Sequence, residues 1–548
     1  MGINVIPLGG LSEIGLNCTV IEDKTNAILI DAGLMFPEED MLGVDMVIPD
    51  FTYVYDNASK FKALFLTHAH EDHVGAVPYL LEKIKLPVYG TKFTLGILQK
   101  KLDEFKITDA QLIEIETKKI YKVGNFKIEP ILMTHSIIGG VGFAIETTSG
   151  IVLHTGDFKI DQTPVDGKPI DLARLAYYGE KGVKLLLSDS TNALNEGFTK
   201  SEKKVGEAFY NLFKEVKGRI IVVTFASNIH RVQQIIDVAS LTNKKVCIMG
   251  KSMVRNTNIS KELGFLNDPK ACIIEESQLA DYPDDRLIIV TTGSQGEPMS
   301  GLSRIASKEH QKIKVKPTDT FIISAKPIPG NEKAVYRIIN TLLKEGAKIY
   351  HDKNSDVHVS GHASKDELKI ILGITKPKFF IPIHGEYMMR VAHKDIAIDV
   401  GINKDNIFML DNGDVFELNN NVKSTKKVPA GRVFVDGKGV GDVEDVVIRD
   451  RMQLSTDGFV IVILAFDSSS GELISGPDII TKGLTYEERS KKLISEATSM
   501  VKNLVNQCDL NVSMDSLELK KKIRKALNKF LYKKLMRNPM VLPIIMEV

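Results

Sequence analysis

Short apolar runs bounded by polar turns recur through the first 420 residues. Ten of them have the length and the β-branched or aromatic content of buried strands. They are NAILID (26–31), KALFLT (62–67), IEPILMT (128–134), GIVLHT (150–155), VKLLLSD (183–189), RIIVVT (219–224), KVCIMG (245–250), RLIIVTT (286–292), TFIISA (320–325) and PKFFIPI (377–383). Up to about residue 195 the loops between runs are irregular in length. From about 200 to 350 a regular strand–turn–helix series takes over, as in RIIVVTFASNIHRVQQIIDVA and TFIISAKPIPGNEKAVYRIINTLL. This alternation predicts an α/β protein with a doubly wound parallel unit set inside another domain.

A polar stretch, NNNVKSTKKVPAG (419–431), separates this body from a C-terminal section in which GRVFVDGKG, DGFVIVILAFD and ELISGPDII read as strands. Two helical patterns follow, the second of them basic (SLELKKKIRKALNKFLYKKLM), which gives a small α+β module. The expected organisation is an outer domain at 1–200 and 351–418, an insertion at 201–350, a linker at 419–445 and the α+β domain at 446–548. The basic helix could meet RNA or a partner subunit, or simply carry a solvated lysine face.

The candidate chemistry sits where strands end. THAHEDHVGA (67–76) follows one apolar run and holds three of the chain's twelve histidines, His68, His70 and His73, together with Asp72. A lone histidine is usually a satisfied structural residue. Three within six positions, bracketed by acids, point instead to a metal. Other runs lead into His135, Asp157, Asp189 and His384. Sites in open α/β sheets form at the carboxyl ends of strands, so these remote residues can converge. Neutral imidazole with carboxylate suits zinc better than magnesium.

HxHxDH followed by a later histidine, a TGD aspartate and an HGE histidine resembles the metallo-β-lactamase superfamily. The strand–helix insertion resembles its β-CASP nucleases. PLGGLSEIGLN, HTGDFKID, TFASNIHRVQQ, SGHAS and ISGPDII, in order over nearly the whole chain, resemble the ribonuclease J family. The resemblance implies a metallo-β-lactamase αββα sandwich, an inserted doubly wound β-CASP domain and a small α+β C-terminal domain. It implies one metal held by His68, His70, His135 and Asp157, and a second held by Asp72, His73, Asp157 and His384. Asp157 bridges them, with about 3.5–4 Å between the ions. Two Zn2+ ions are expected, with Mn2+ or Mg2+ able to replace them. Asp31 is expected to orient ligands, and Asp189 with His362 to form an acid–histidine pair. In the implied reaction a two-metal-activated water cleaves RNA and His362 protonates the departing 3′ oxygen, leaving 5′-phosphate products. The implied activity is 5′→3′ exonuclease and endonuclease, in RNA maturation, rRNA processing and mRNA decay. The implied partners are single-stranded RNA with a 5′-monophosphate, a homodimer or homotetramer, and a paralogue or an RNA helicase.

Two further stretches suit phosphate. FASNIHR closes a strand and opens a helix, placing Ser227, Asn228 and Ile229 where either a phosphate or an ordinary helix cap fits. HVSGHAS offers His358, Val359, Ser360, Gly361, His362, Ala363 and Ser364, with a glycine that permits close backbone approach. The resemblance assigns both stretches to RNA phosphates, the 5′-monophosphate included. IMGKSM (248–253) lacks the upstream glycine of a nucleotide-binding loop, so ATP use is not expected. Asp45 and the acids of VDGKGVGDVED (435–445) could hold a structural calcium ion, although acidic turns are commonly just solvated. His154 could be structural or support the site, and His230, His310, His351 and His393 read as surface or structural.

Composition changes this picture little. With 548 residues, 43% hydrophobic, the chain has material for several domains, and it contains no run long and apolar enough for a membrane helix. MGINVIPLGG lacks the basic and apolar regions of a secretory leader. Cys18, Cys247, Cys272 and Cys508 are scattered, which predicts free thiols and a cytoplasmic setting. A net charge of +1 neither favours nor excludes a polyanionic substrate. Two other readings remain, a small-molecule metallo-hydrolase and a weakly active partner subunit. The large insertion counts against the first, and the intact histidine motifs against the second.

Overall fold

In the computed structural model all ten expected strands form. The residues described are 2–38, 40–297, 299–328, 331–419, 422–468, 470–484, 487–507 and 516–548. They divide into one unit of residues 1–36 and 47–433 and a second of residues 37–46 and 434–548.

Two sheets face each other in the first unit. One has eight strands, in the order Val422–Lys427, Asp414–Glu417, Asn4–Gly9, Cys18–Glu22, Ala27–Ile30, Phe61–Phe65, Val88–Gly90 and Leu112–Glu114. The other has six, in the order Phe379–Ile383, Val183–Asp189, Gly150–His154, Val141–Thr147, Phe126–Leu132 and Tyr121–Val123. Alternate side chains of both, such as Ile28, Ile30 and Phe65 against Phe143, Leu187 and Ile381, fill one core between them. The opposite residues of the six-stranded sheet, Ala144, Leu153, Leu186 and Phe380, pack on helices Leu172–Lys181, Lys365–Thr375 and Tyr387–Asp399. The result is a sandwich with its apolar strands buried on both faces, as their near-continuous hydrophobic content requires.

One buried acid ties this outer helix layer to the strand that leads towards His135. Glu129 accepts from Arg174 Nη2 at 2.6 Å and from the Tyr178 hydroxyl at 2.7 Å, both on helix Leu172–Lys181. Burial alone would raise the Glu129 pKa, but the Arg174 and Tyr178 donors outweigh it and hold the carboxyl below its usual range. Its contribution is therefore complete above the ordinary glutamate range and fades as pH falls through the lowered folded value. Glu129→Ala is expected to cost about 2–4 kcal/mol at neutral pH, read as a lower urea midpoint, with a smaller deficit in acid.

The chain leaves the six-stranded sheet after Val183–Asp189 and returns to it at the neighbouring parallel strand Phe379–Ile383. Between them lies a six-stranded, wholly parallel sheet, ordered Ile273–Ile274, Lys245–Ile248, Leu287–Thr291, Ile220–Val223, Thr320–Ile323 and Lys348–Tyr350. Ile220 and Val222 point to a layer holding helices Lys203–Glu215 and Ile229–Leu241. Ile221 and Val223 point to the opposite layer, with helices Gly301–Ala306 and Glu332–Lys344. This is the doubly wound arrangement expected from the sequence.

The expected linker is partly a strand. Val422–Lys427 pairs antiparallel with Asp414–Glu417 as the edge of the eight-stranded sheet. Lysine-rich polar sequence reads as loop, yet it is also how edge strands avoid pairing with other chains.

The second unit has a three-stranded sheet, Leu473–Lys482, Phe459–Phe466 and Met540–Glu547, with helices Asp445–Asp457, Glu487–Asn506 and Ser516–Leu535. On the basic helix Leu519, Ile523, Leu527 and Leu531 form a buried stripe against Val460, Val462 and Leu464. The stripe sets the helix in a core; its lysines follow from that. Two of the acids named as calcium candidates make contacts within the protein. Asp45 accepts from the Gly437 amide at 2.7 Å and Asp436 pairs with Arg451 at 2.6 Å. Among the described residues, every group of acids and histidines with metal-ligand spacing lies elsewhere. Among them also, no helix is long and apolar enough to cross a membrane.

Candidate metal centre and acid–histidine pair

Carboxyl ends of strands from both sheets supply the site. Phe61–Phe65 leads into His68 and His70, and His70 opens the one-turn helix Glu71–Val74, which carries Asp72 and His73. Phe126–Leu132 leads to His135, Gly150–His154 to Asp157, Val183–Asp189 ends on Asp189, and Phe379–Ile383 is followed by His384. Asp31 and His384 take left-handed backbone angles, φ 62° and 50°, which turn their side chains sharply off the strand ends. Gly33 allows the turn after Asp31 to lie on the Asp72 backbone, since a Cβ there would come within 1.6 Å of the Asp72 carbonyl oxygen.

The seven expected ligands converge as two tetrads that share Asp157: His68, His70, His135 and Asp157, and Asp72, His73, Asp157 and His384. Asp157 Oδ2 lies 3.7 Å from both His68 Nε2 and His135 Nε2, 3.3 Å from His73 Nε2 and 3.7 Å from His384 Nε2. Asp72 Oδ2 is 3.1 Å from His384 Nε2 and 3.5 Å from His73 Nε2.

The outer ring nitrogens are anchored, which fixes the tautomers. Asp31 accepts from Thr67 N and Oγ1 at 2.8 and 2.7 Å and from His73 Nδ1 at 2.8 Å. The Thr67 hydroxyl, donating to Asp31, is left to accept from His68 Nδ1 at 3.0 Å. His135 Nδ1 donates to the Gly361 carbonyl at 2.7 Å, an approach that only glycine permits, because a Cβ would sit 2.6 Å from His135 Cε1. His384 Nδ1 meets the Thr191 hydroxyl at 2.5 Å, which itself donates to Asp189 Oδ1 at 2.8 Å. His68, His73, His135 and His384 thus each direct Nε2 towards the centre, where His73 Nε2 also meets Asn17 Nδ2 at 3.2 Å and His384 Nε2 meets Asp72 Oδ2 at 3.1 Å. This is the support that metal-binding imidazoles require.

The electrostatics agree. Burial, with neighbouring histidines, holds His68 and His135 well below the usual imidazole range and His70 near pKa 4, so these three are neutral. Burial would also lower His73 and His384, but Asp157 and the other carboxylates outweigh it and push both well above that range. Burial acts to raise Asp157, and His384 and His73 reverse it. The fit to cations shows in the atoms left over. Asp157 Oδ1 is buried without a hydrogen-bond partner, while His70 Nδ1 lies 3.0 Å from His68 Nε2 and 3.2 Å from His135 Nε2, within reach to donate to either. The donor set of imidazoles and carboxylates could hold two divalent ions.

His362 stands beside this centre. Its Nδ1 is 2.7 Å from Asp189 Oδ2 and 4.0 Å from Asp157 Oδ2. Burial would lower it, but Asp189 outweighs burial and raises it above the ordinary imidazole value. Of the phosphate candidates, Asn228 caps helix Ile229–Leu241, its Oδ1 accepting from Arg231 N at 3.0 Å. Ser364 caps helix Lys365–Thr375 in a reciprocal box with Glu367. Ile229 and Val359 share an apolar cluster and Ala363 joins another, which leaves only their backbone to meet a ligand. Ser360 Oγ accepts from the His362 amide at 3.2 Å, His358 touches Arg231, and Ser227 stays partly exposed. His154 supports the TGD turn, its Nδ1 accepting from Gly156 N at 3.1 Å.

Known proteins repeat this organisation. Residues 13–185 match the metallo-beta-lactamase superfamily, 217–342 the ribonuclease J beta-CASP domain, 351–405 the zinc-dependent metallo-hydrolase RNA specificity domain, and 446–548 the ribonuclease J C-terminal domain. Ribonuclease J2 of Bacillus subtilis (strain 168) is 41% identical over 550 residues, covering 100% of this chain and 99% of that protein. The chain belongs to the ribonuclease J family. Ribonuclease J of Helicobacter pylori (strain ATCC 700392 / 26695) is 42% identical over 98% of this chain and 79% of its own. Ribonuclease J 1 of Streptococcus pyogenes serotype M3 is 40% identical over 99% and 97%. A crystal structure of a protein of unknown function from Enterococcus faecalis V583 shares the fold, with a TM-score of 0.55 at 17% identity over 76% of this chain and 100% of that one. The architecture is therefore a metallo-β-lactamase fold with a β-CASP insertion and a ribonuclease J C-terminal domain.

Within this ribonuclease J frame the sequence reading missed Glu367. It is wholly buried and accepts from the amides of Ile160 at 2.7 Å, Thr199 at 2.7 Å and Ser364 at 2.8 Å. One carboxylate so joins the turn after Asp157 to the loop that carries His362. The S-x-x-E spacing of Ser364 and Glu367 was the available signal, and it reads as a helix cap rather than a brace. Thr67 and Thr191, next to His68 and two residues past Asp189, gave no signal of their own.

Proposed function

We propose that the chain is a metal-dependent ribonuclease that works as a 5′→3′ exonuclease and an endonuclease, with zinc in the centre and single-stranded RNA as substrate. Its tasks are RNA maturation, rRNA processing and mRNA decay in the cytoplasm, as a homodimer or homotetramer in contact with a paralogue or an RNA helicase. The observation that carries this reading is the pair of tetrads sharing Asp157, with the His362–Asp189 pair alongside. Imidazole-rich donors favour zinc over magnesium, and Mn2+ or Mg2+ would bind the same set less selectively.

Bound there, two divalent ions would supply Lewis acidity, lowering the pKa of water towards roughly 7 and offsetting charge on phosphoryl oxygens. The chain's own residues do the rest. Asp31, Thr67, Gly361 and Thr191 hold four imidazoles with Nε2 inward. Asp189 fixes His362 through Nδ1 and favours its charged form, so the Nε2 proton is the one available to the departing 3′ oxygen. The products are a 3′ hydroxyl and a 5′ phosphate. Ser227, Asn228 and the 358–364 loop would hold the RNA 5′ end, and a 5′-monophosphate would favour exonucleolytic entry.

The test uses one internally labelled RNA carrying a 5′-monophosphate or a 5′-triphosphate. Mononucleotides are expected rapidly from the monophosphate form alone. Equal internal cutting of both forms would leave a nuclease without the 5′ pocket. No cutting by metal-loaded protein would return the small-molecule hydrolase and partner-subunit readings.

A further inference from the structure

Arg231, like Arg390, is among the bulkiest fully buried side chains of the described residues, and the centre described above makes no use of it. It sits in the first turn of helix Ile229–Leu241. Its Nε donates to Glu202 Oε1 at 2.8 Å and its Nη2 to the same oxygen at 2.5 Å. Its Nη1 donates to the Ser324 carbonyl at 2.7 Å and hydroxyl at 3.1 Å, and reaches His358 Nδ1 at 3.2 Å. Ser324 Oγ donates in turn to the Val357 carbonyl at 2.5 Å, so two bonds pin residues 357–358 to the end of strand Thr320–Ile323. A guanidinium has donors only, so where Arg231 donates to His358 Nδ1 the ring hydrogen is left on Nε2, in competition with the tautomer that donates to the Ser324 carbonyl.

We propose that Arg231 is a positioning residue for the RNA 5′ end: by donating to Nδ1 it keeps His358 as an Nε2–H donor for an oxygen of the terminal phosphate. The proposal rests on the reading of the 358–364 loop as part of the 5′ pocket. Burial, with Arg231, Lys159 and Lys326, also holds His358 well below the usual imidazole range, so its ring is neutral. Recognition then depends on one directed hydrogen bond from His358, and not on a second positive charge. The Arg231 charge itself is largely offset by Glu202. Lysine at 231 would keep the pairing with Glu202. Its point-like ammonium cannot span Glu202, Ser324 and Nδ1 together, so the His358 ring would be free to choose the other tautomer.

The experiment compares KM and kcat for RNA bearing a 5′-monophosphate or a 5′-hydroxyl, using the full chain as purified. Arg231→Lys is expected to raise KM for the monophosphate RNA about tenfold, the worth of one hydrogen bond to a charged group, with the hydroxyl RNA unmoved. His358→Ala should give the same loss, and the double variant no more than either. If the native chain prefers the monophosphate but R231K keeps that preference, or if the two losses multiply, the proposal is overturned while the pocket reading stands. If the native chain shows no preference at all, the pocket reading fails and takes the proposal with it. Should R231K not fold, Ser324→Ala loosens the same loop without touching the ion pair. It should raise KM about threefold, and an unchanged KM would overturn the proposal.

Discussion

Asp157→Asn is expected to reduce bound metal from two ions per chain to fewer than one, and to slow RNA hydrolysis by about 10^3-fold or more. No other side chain belongs to both tetrads. Its Oδ2 stands within 3.3–3.7 Å of four imidazole nitrogens, and its Oδ1 is buried with nothing else to bind. Replacing one carboxylate oxygen by an amide nitrogen leaves the shape of the cluster and removes half of the anionic charge that its two ligand aspartates bring. Lewis acidity is worth several kcal/mol of transition-state stabilisation, and each 1.36 kcal/mol is a factor of ten in rate. The variant should still fold, because Asp157 Oδ1 makes no hydrogen bond that the protein would lose. Metal analysis and a melting curve on the same preparation check both points. Two ions retained in a folded, slow variant would remove Asp157 from the role of shared ligand.

The sequence showed this centre well because one loop supplies four of the seven candidate ligands. His68, His70, Asp72 and His73 lie within six residues, and no folding argument is needed to place them together. His135, Asp157 and His384 were legible more weakly, as polar residues where apolar runs stop. Parallel strands bring such ends to one edge of a sheet, and the pairing of Asp189 with Ile383 shows that register directly. What stayed hidden is whatever depends on approach across sequence distance. Gly361 touching His135 spans 226 residues, and Glu367 reaching Ile160 spans 207. Neither contact leaves a periodic or compositional trace. The polar stretch at 422–427 misled for another reason: edge strands are allowed to look like linkers, since one side of their backbone pairs with nothing. At Asn228 and Ser364 the caps and the phosphate candidates were the same residues, a choice that local sequence cannot make.

His362→Ala is expected to lower kcat by about 10^2–10^4-fold while both ions stay bound. Two roles compete for this histidine, because it also completes a third group with metal-ligand spacing, formed with Asp157, Asp189 and His384. The hydrogen bond decides between them. The ring nitrogen that lies near Asp157 is Nδ1, at 4.0 Å, and that same atom is 2.7 Å from Asp189 Oδ2. A ligand would have to give up that bond, whereas a proton donor is strengthened by it, since a carboxylate on Nδ1 stabilises the charged ring. Its side chain is also 19% exposed, against 1–3% for His68, His73, His135 and His384, which places it at the mouth where a leaving group departs. Asp189→Asn should then give a smaller loss than His362→Ala. It weakens the charged form without deleting the donor, and it leaves the Thr191 hydroxyl to hold His384. An RNA whose scissile 3′ oxygen is replaced by sulfur needs no proton on leaving, so it should be cut by His362→Ala at close to the native rate. Loss of metal would make His362 a ligand, and a metal-retaining variant that stays equally slow on the sulfur substrate would remove it from the role of acid.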